Sequence, residues 1–309
     1  MSEDSERASR RSGIFALSTV GLVFIPLFSL VFSFVSDMFQ TDREITVGRL
    51  TEDRQRVAEF VTMVSERRAA AANLHFSLQR NLDADEIRER KAVHERLYVD
   101  SQDAIYRAQN LARIAFEPGK VDQGVVEETT ALRCAAPTET EPSPTPRAIA
   151  AKCVDDSYNA LIAALGYQET SLTNLQACRR IAMIQAEPRN KRVFDEAVLK
   201  RHGCAQFAEK PADMDARFNA ASRAVQLCMN QFSVEFYKRR SARQGLFAGW
   251  LAARLPHKDR ELARALVNLR TYCNAPPAFD AAPEAWTAYQ DQVRDLQKGF
   301  LDPKLAKKS

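Results

Sequence analysis

The sequence predicts an all-α protein with one N-terminal transmembrane helix, a long antiparallel helical hairpin and a multi-helix bundle. Three observations support this prediction. Residues 13–36 form a stretch of 24 residues without a charge. Apolar residues in the rest of the chain recur at intervals of three and four positions, which is the period of an α-helix. Only 10 of the 309 residues are glycine, which leaves few of the tight turns that connect β-strands.

The first element is the uncharged stretch, residues 13–36. As a helix it would be about 36 Å long, enough to cross a hydrocarbon core of about 30 Å. A cleaved signal peptide has a shorter apolar region, and a cleavage site after Ser36 would place the bulky Phe34 where a small residue is needed. Pro26 should kink the helix, which membrane helices tolerate. We therefore expect an uncleaved, single-pass anchor.

The orientation of the anchor depends on its flanking charges. Arg10 and Arg11 come directly before the apolar stretch and Asp37 comes directly after it, although arginines within about twenty residues are nearly balanced between the two sides. The adjacent arginines favour a cytoplasmic tail over 1–12 in the inner (plasma) membrane. The remaining chain would then face the periplasm or cell exterior. The chain has no Asn-x-Ser/Thr acceptor for glycosylation, which is consistent with a bacterial envelope.

The segment 37–116 is predicted to form the membrane-proximal hairpin. Apolar residues at sevenfold spacing predict a coiled-coil-like helix over 43–81: Leu50, Val57, Val64, Ala71 and Leu78. Four charged residues interrupt the seam: Asp53, Arg54, Arg67 and Arg68. The run "RRAAAANL" offers small side chains that would let another helix approach closely.

A second helix should follow the turn at "NLDADEIRER", with Asp83 or Asp85 as its N-cap, and end before Pro118-Gly119. Its apolar stripe runs from Leu97 to Ala115. Two such helices make an antiparallel hairpin about 50 Å long, which could hold the rest of the domain away from the bilayer or mediate oligomerisation.

Residues 117–152 contain "PTETEPSPTP" and little apolar periodicity, which predicts an extended or disordered Pro-rich loop. Helical stripes resume over 153–302, the predicted bundle domain. The clearest stripe comprises Phe218, Ala221, Val225, Cys228 and Phe232, after the start signal "PADMD". Residues 303–309 should form a loose basic tail.

Six cysteines lie after the predicted anchor: Cys134, Cys153, Cys178, Cys204, Cys228 and Cys273. They lack the close pairs typical of zinc or redox motifs. An even number in an exported domain is consistent with up to three disulfides, and reduced core cysteines are the alternative. Cys134 and Cys153 bracket the Pro-rich loop and are our favoured pair. The other four allow three pairings that the sequence does not distinguish.

The sequence contains no motif for catalysis, a cofactor or a metal ion. Each histidine is isolated in sequence; His94 lies on an apolar stripe and is expected in the core. A metal or nucleophile pair of His202 and Cys204 is conceivable, but a helix-ending glycine beside a structural cysteine explains "RHGC" equally well. The acidic pair Asp155-Asp156 is expected to be solvated. A net charge of +4 gives no support for nucleic-acid binding.

Four cationic residues near a predicted helix end are candidates for an interaction surface: Lys238, Arg239, Arg240 and Arg243. They could contact anionic lipid, peptidoglycan or an acidic partner. A solvated helix end is the alternative, because cations also complement the dipole at a helix C-terminus.

These features favour a non-enzymatic, membrane-anchored scaffold or adaptor of a cell-envelope assembly. The bilayer would hold its anchor, and other envelope proteins would bind its exported domain. One alternative is a periplasmic ligand-sensing domain that signals through a separate membrane partner. Its pocket would be lined by five aromatic residues: Tyr158, Phe218, Phe232, Trp250 and Trp286. Another alternative is an enzyme whose site is assembled only in three dimensions.

Overall fold

The computed structural model describes residues 47–48, 50–80, 82–116, 146–187, 195–242 and 257–301. All regular structure in these ranges is helical, which confirms the all-α part of the predicted fold. The helices are α1 (50–79), α2 (Ala84–Ala115), α3 (Pro146–Ala186), α4 (Glu196–Arg201), α5 (Cys204–Glu209), α6 (Pro211–Ala242), α7 (His257–Tyr272) and α8 (Pro283–Leu301).

The predicted anchor, residues 13–36, lies outside the described ranges. Within those ranges, no helix combines the length and the apolar character needed to cross a bilayer. The transmembrane helix therefore stays a prediction.

Helices α1 and α2 form the antiparallel hairpin. Asp83 is the N-cap of α2, because its side chain accepts a hydrogen bond from the backbone N–H of Asp85 at 3.1 Å. This contact decides between the two caps that the sequence allowed. Two contacts between these helices, one near their middle and one nearer the turn, show that they run in opposite directions. Arg67 Nη1 donates to Ser101 Oγ, and Arg90 Nη1 donates to the carbonyl of Asn73, each at 3.2 Å.

The heptad seam of α1 packs into a multi-helix core. Val57, Val64, Ala71 and Leu78 are all buried, as the periodicity predicted. Val57 and Val64 belong to the main core cluster, whereas Ala71 and Leu78 belong to a second, smaller cluster near the hairpin turn, so the hairpin packs against the bundle along its length. At the centre, the ring of Phe60 lies 5.5 Å from that of Phe232, in an edge-to-face arrangement.

Helix α3 begins at Pro146, earlier than the boundary expected at 153, so residues 146–152 belong to the helix rather than to the loop. Proline fits the first turn of a helix because the backbone N–H that it lacks would have no partner there. Ile149 and Ala150 are buried in the main core, and this burial stabilises the additional turns. The four prolines of "PTETEPSPTP" predicted a loop, so the sequence pattern did not reveal this helix start.

Two disulfides join neighbouring helices. Cys178 of α3 bonds to Cys204 of α5, and Cys228 of α6 bonds to Cys273 directly after α7. The structure thus selects one of the three pairings left open by the sequence. Gly203 positions Cys204 because it adopts a left-handed conformation with φ of 63°, which glycine adopts without steric cost.

The long helices are antiparallel neighbours, so their ends meet in groups. Along α1 and α6, Tyr237 contacts Arg54, whereas Asp215 contacts His75 at the opposite end. In the same way, α2 runs against α3, and α6 runs against α7. The starts of α1, α3 and α7 and the ends of α2 and α6 therefore lie at one end of the bundle, which we call the α1-start end.

Candidate functional site

A groove runs between α1 and α2 and has a volume of about 690 Å³. Ten residues line it, four from α1 and six from α2: Glu66, Ala69, Ala70, Asn73, Glu86, Glu89, Arg90, Val93, Arg96 and Leu97. Two adjacent alanines on α1 leave room between the helices, as the small-residue run suggested. We call this surface the hairpin groove.

Charged and apolar groups share the hairpin groove. Arg90 spans it, pairing with Glu86 on its own helix and donating to the carbonyl of Asn73 on α1. Beyond the groove, α2 exposes further apolar area, with Val99 67% and Tyr106 65% accessible. Exposed apolar area beside charged groups is typical of a protein-docking surface.

A buried ion-pair network holds both walls of the groove to α3. The guanidinium of Arg67 is only 3% exposed and donates to Glu169 Oε1 at 3.0 Å. The Nε2 atom of His94 lies 3.2 Å from the same oxygen. Arg67 also lies over the ring of Tyr98, 4.4 Å from its centroid. His94 is thus in the core, as predicted, but with a carboxylate partner that the sequence did not reveal.

The charge state of Glu169 follows from these neighbours. Partial burial raises the pKa of its carboxyl group, but His94 and Arg67 lower it by more, so the net shift is below the usual 4.5. Glu169 is therefore ionised at neutral pH. It contributes to stability above pH 4.5, and that contribution is lost as the pH falls through its lowered folded-state pKa.

A second polar contact fixes the turn end of α1 to α6. His75 Nε2 lies 2.8 Å from Asp215 Oδ1, and the same oxygen accepts a hydrogen bond from Gln79. The His75 ring stacks on Phe218 with centroids 4.1 Å apart. Burial lowers the pKa of His75 and outweighs the opposite effect of Asp215. A neutral imidazole that packs against an aromatic ring fits a structural role.

The structure describes five of the six candidate cysteines. Four form the two disulfides already described, whereas Cys134 lies outside the described residues, so its pairing with Cys153 stays a prediction. His202 does not form a reactive pair with Cys204. Its Nδ1 atom instead lies 2.9 Å from Asn174 Oδ1, while Cys204 is oxidised.

The cationic candidate lies at the α1-start end. Lys238 is 63% exposed and donates to Glu235 at 3.2 Å. Arg239 and Arg240 belong to the last turns of α6, and Arg243 lies outside the described residues. The structure thus places three of these four residues at one helix end.

Asp155 lies at the surface and is partly exposed, but it has partners that the sequence did not reveal. Its carboxylate accepts two hydrogen bonds from Arg113, at 2.8 and 2.9 Å, and a third from Gln109. This carboxylate joins the end of α2 to the start of α3. Asp156 next to it forms a surface pair with Lys152. No sequence pattern predicts this contact, because its partners are separated by more than forty positions.

The aromatic residues expected around a ligand pocket fill the core instead. Tyr158, Phe232 and Trp286 are buried in the main cluster, and Phe218 is buried in a smaller cluster near the hairpin turn. Trp250 lies outside the described residues. Within the described ranges, no group of three or more His, Cys, Asp or Glu side chains could hold a metal ion.

Comparison of the chain with models of known protein families, with curated protein sequences and with solved structures finds no match.

Proposed function

We propose that the protein is a non-enzymatic, membrane-anchored helical scaffold or adaptor of a bacterial cell-envelope assembly. It would bind other envelope proteins through its exported domain. The observation that carries the proposal is the hairpin groove, an open surface between two long helices that a buried ion-pair network fixes to the bundle. A rigid groove on a tethered domain suits docking, because little conformational entropy is lost on binding.

The groove favours an amphipathic helix as the partner. Its four apolar residues would contact the apolar side of that helix, as in other helix-in-groove complexes. Glu66 and Glu89 lie on opposite walls and would favour Lys or Arg along the flanks of the partner.

Site-specific photocrosslinking in native membranes tests this proposal with the full chain. We expect a photoreactive residue at Ala69, in the groove, to give an adduct with another envelope protein. Exposed Ala163, on α3 and outside the groove, is the matched control and should give none. Adding Val93→Arg should abolish the adduct, because a charge would replace apolar contact area.

Two results would count against the adaptor. The first is an absence of adducts at Ala69, together with a detergent-extracted protein that purifies as a monomer without partners. The second is an adduct made only of two copies of this chain, which would make the groove an oligomer interface. No specific observation favours the ligand-sensing alternative, because the described aromatic residues of its pocket are buried in the core: Tyr158, Phe218, Phe232 and Trp286.

A further inference from the structure

We infer that the hairpin groove selects its partner helix by the order of the charges along that helix. A basic residue of the partner would face Glu89 near the hairpin turn, and an acidic residue two turns away would face Arg96. The inference rests on the proposed function, because it assumes that a helix docks in the groove. It is supported by the levels of three charged residues along the groove, by their lack of ion pairs within the described chain and by the small side chains between them.

Glu89 and Arg96 lie at different levels of the same groove wall. Both line the groove from α2, and seven positions separate them, which is about 10 Å along the helix axis. Arg90, directly after Glu89, donates to the carbonyl of Asn73 at 3.2 Å, close to the hairpin turn. Glu89 therefore lies at the turn end of the groove, and Arg96 lies two turns farther from the turn.

The opposite wall carries a different pattern. Glu66 and Asn73 line the groove from α1, also seven positions apart. Because α1 runs antiparallel to α2, Asn73 lies at the turn end with Glu89, and Glu66 lies at the far end with Arg96. The turn end thus carries an acidic residue opposite a neutral amide, and the far end carries one charge of each sign on opposite walls.

These charges are available to a partner. Within the described residues, Glu66, Glu89 and Arg96 form no ion pair, and all three residues are exposed. Most other charged residues of α2 are paired, among them Glu86 and Arg90 of the groove, which neutralise each other. An exposed charge without an ion pair can contact a partner without first breaking a contact in its own chain.

Small side chains lie between the charged levels. Ala69 and Ala70 of α1 line the middle of the groove opposite Val93 of α2. A large apolar side chain of the partner would fit above the two alanines, which brings the partner helix close enough for its flanks to meet the charged residues of the walls. The α2 wall runs from Glu86 to Leu97, about 17 Å, so about three turns of a helix cover it.

The charge pattern of the groove defines the partner. One flank of the partner helix would carry Lys or Arg facing Glu89 and, two turns away, Asp or Glu facing Arg96. The other flank would carry Lys or Arg facing Glu66. A partner that docks in the same direction with the opposite order would place like charges against each other at Glu89 and at Arg96, which disfavours binding.

Charge exchange combined with photocrosslinking from Ala69 tests the inference in the full chain in native membranes. The groove variant combines Glu89→Arg with Arg96→Glu, which keeps the net charge of the chain. At low expression we expect its adduct yield to fall roughly tenfold, because two attractive contacts at the rim become repulsive. The matched control combines Lys91→Glu with Glu95→Lys, an exposed ion pair of α2 outside the groove, and should keep the wild-type yield. Both variants should melt near the wild-type temperature, because the exchanged residues are exposed.

A compensating exchange in the partner makes the test specific. Mass spectrometry of the wild-type adduct identifies the partner helix, which should carry a basic and an acidic residue two turns apart on one flank. Exchanging those two residues should restore the adduct with the groove variant and weaken it with the wild-type chain. A change in the partner could not repair damage to the fold of the groove variant, so this rescue would report on the charges alone.

The outcomes separate this inference from the proposed function. An absence of adducts at Ala69 would contradict the adaptor and the charge order together. An adduct whose yield is unchanged in the groove variant, or falls equally in the groove variant and its control, would overturn only the charge order. A compensating exchange that fails to restore the yield would also overturn the charge order and leave the docking groove in place.

Discussion

At the residue scale, the attachment of the hairpin depends most on Glu169, because one carboxylate serves two buried groups from different helices. Glu169→Gln would leave the guanidinium of Arg67 buried without its counter-charge. We expect this change to lower the free energy of unfolding by about 3 kcal/mol, the usual cost of breaking a buried pair. Urea denaturation followed by far-UV circular dichroism measures it.

Glu95→Gln is the matched control for that variant. Glu95 lies on α2 and pairs with Lys91 at 3.5 Å on the exposed surface. Its loss should cost less than about 0.5 kcal/mol, because solvent screens exposed pairs. Equal losses in the two variants would mean that the buried network does not hold the hairpin to α3.

The lowered pKa of His75 predicts that the stability of the fold depends on pH. Burial holds its folded-state pKa below 6.5, so the unfolded chain binds more protons between that lowered value and 6.5. Stability should therefore fall as the pH drops below about 6.5, by at most about 1.4 kcal/mol for each pH unit from this group. In His75→Gln this component should vanish, although lost stacking on Phe218 lowers stability at every pH. Melting temperatures from pH 8 to pH 5 give the comparison, and parallel curves for the two proteins would refute the assignment.

At the scale of elements, the two disulfides fix the helices around α6. In the chain-entropy model, the crosslink over 26 positions contributes about 3.5 kcal/mol and the one over 45 positions about 4 kcal/mol. We expect Cys178→Ser and Cys228→Ser each to lower the free energy of unfolding by roughly 2–5 kcal/mol. Peptide mapping without reduction should recover Cys178 with Cys204 and Cys228 with Cys273. Recovery of either of the other pairings would show that the helix register is wrong.

The sequence predicted elements better than contacts, for a physical reason. Periodicity reports which side of a helix is buried, so the seam from Val57 to Leu78 and the end of α2 at Ala115 were predictable. The pairing of Arg113 with Asp155 depends on the register between two helices joined by a long connection, which leaves no local signal. The same holds for the cysteine partners and for the Arg67–Glu169 contact that allows an arginine to lie in the core.

At the scale of the whole molecule, the hairpin groove lies away from the start of α1, to which the predicted anchor would connect. The hairpin groove begins at Glu66, in the half of α1 that leads to the turn, whereas the predicted anchor precedes the start of α1 in sequence. The anchor would therefore hold one end of the bundle at the bilayer and present the groove to proteins farther away. This division suits an adaptor, because lipid and protein partners would not compete for the same surface.

The central claim, that the helical domain is anchored in the membrane and exported, can be tested by labelling Gln102→Cys with a membrane-impermeant maleimide. Gln102 is exposed on α2, and no cysteine in the described residues is free. In intact spheroplasts of a bacterial host, followed by an alkaline carbonate wash, we expect the label on a chain that stays with the membranes. Labelling only after lysis, or a labelled chain that the wash releases, would contradict the claim.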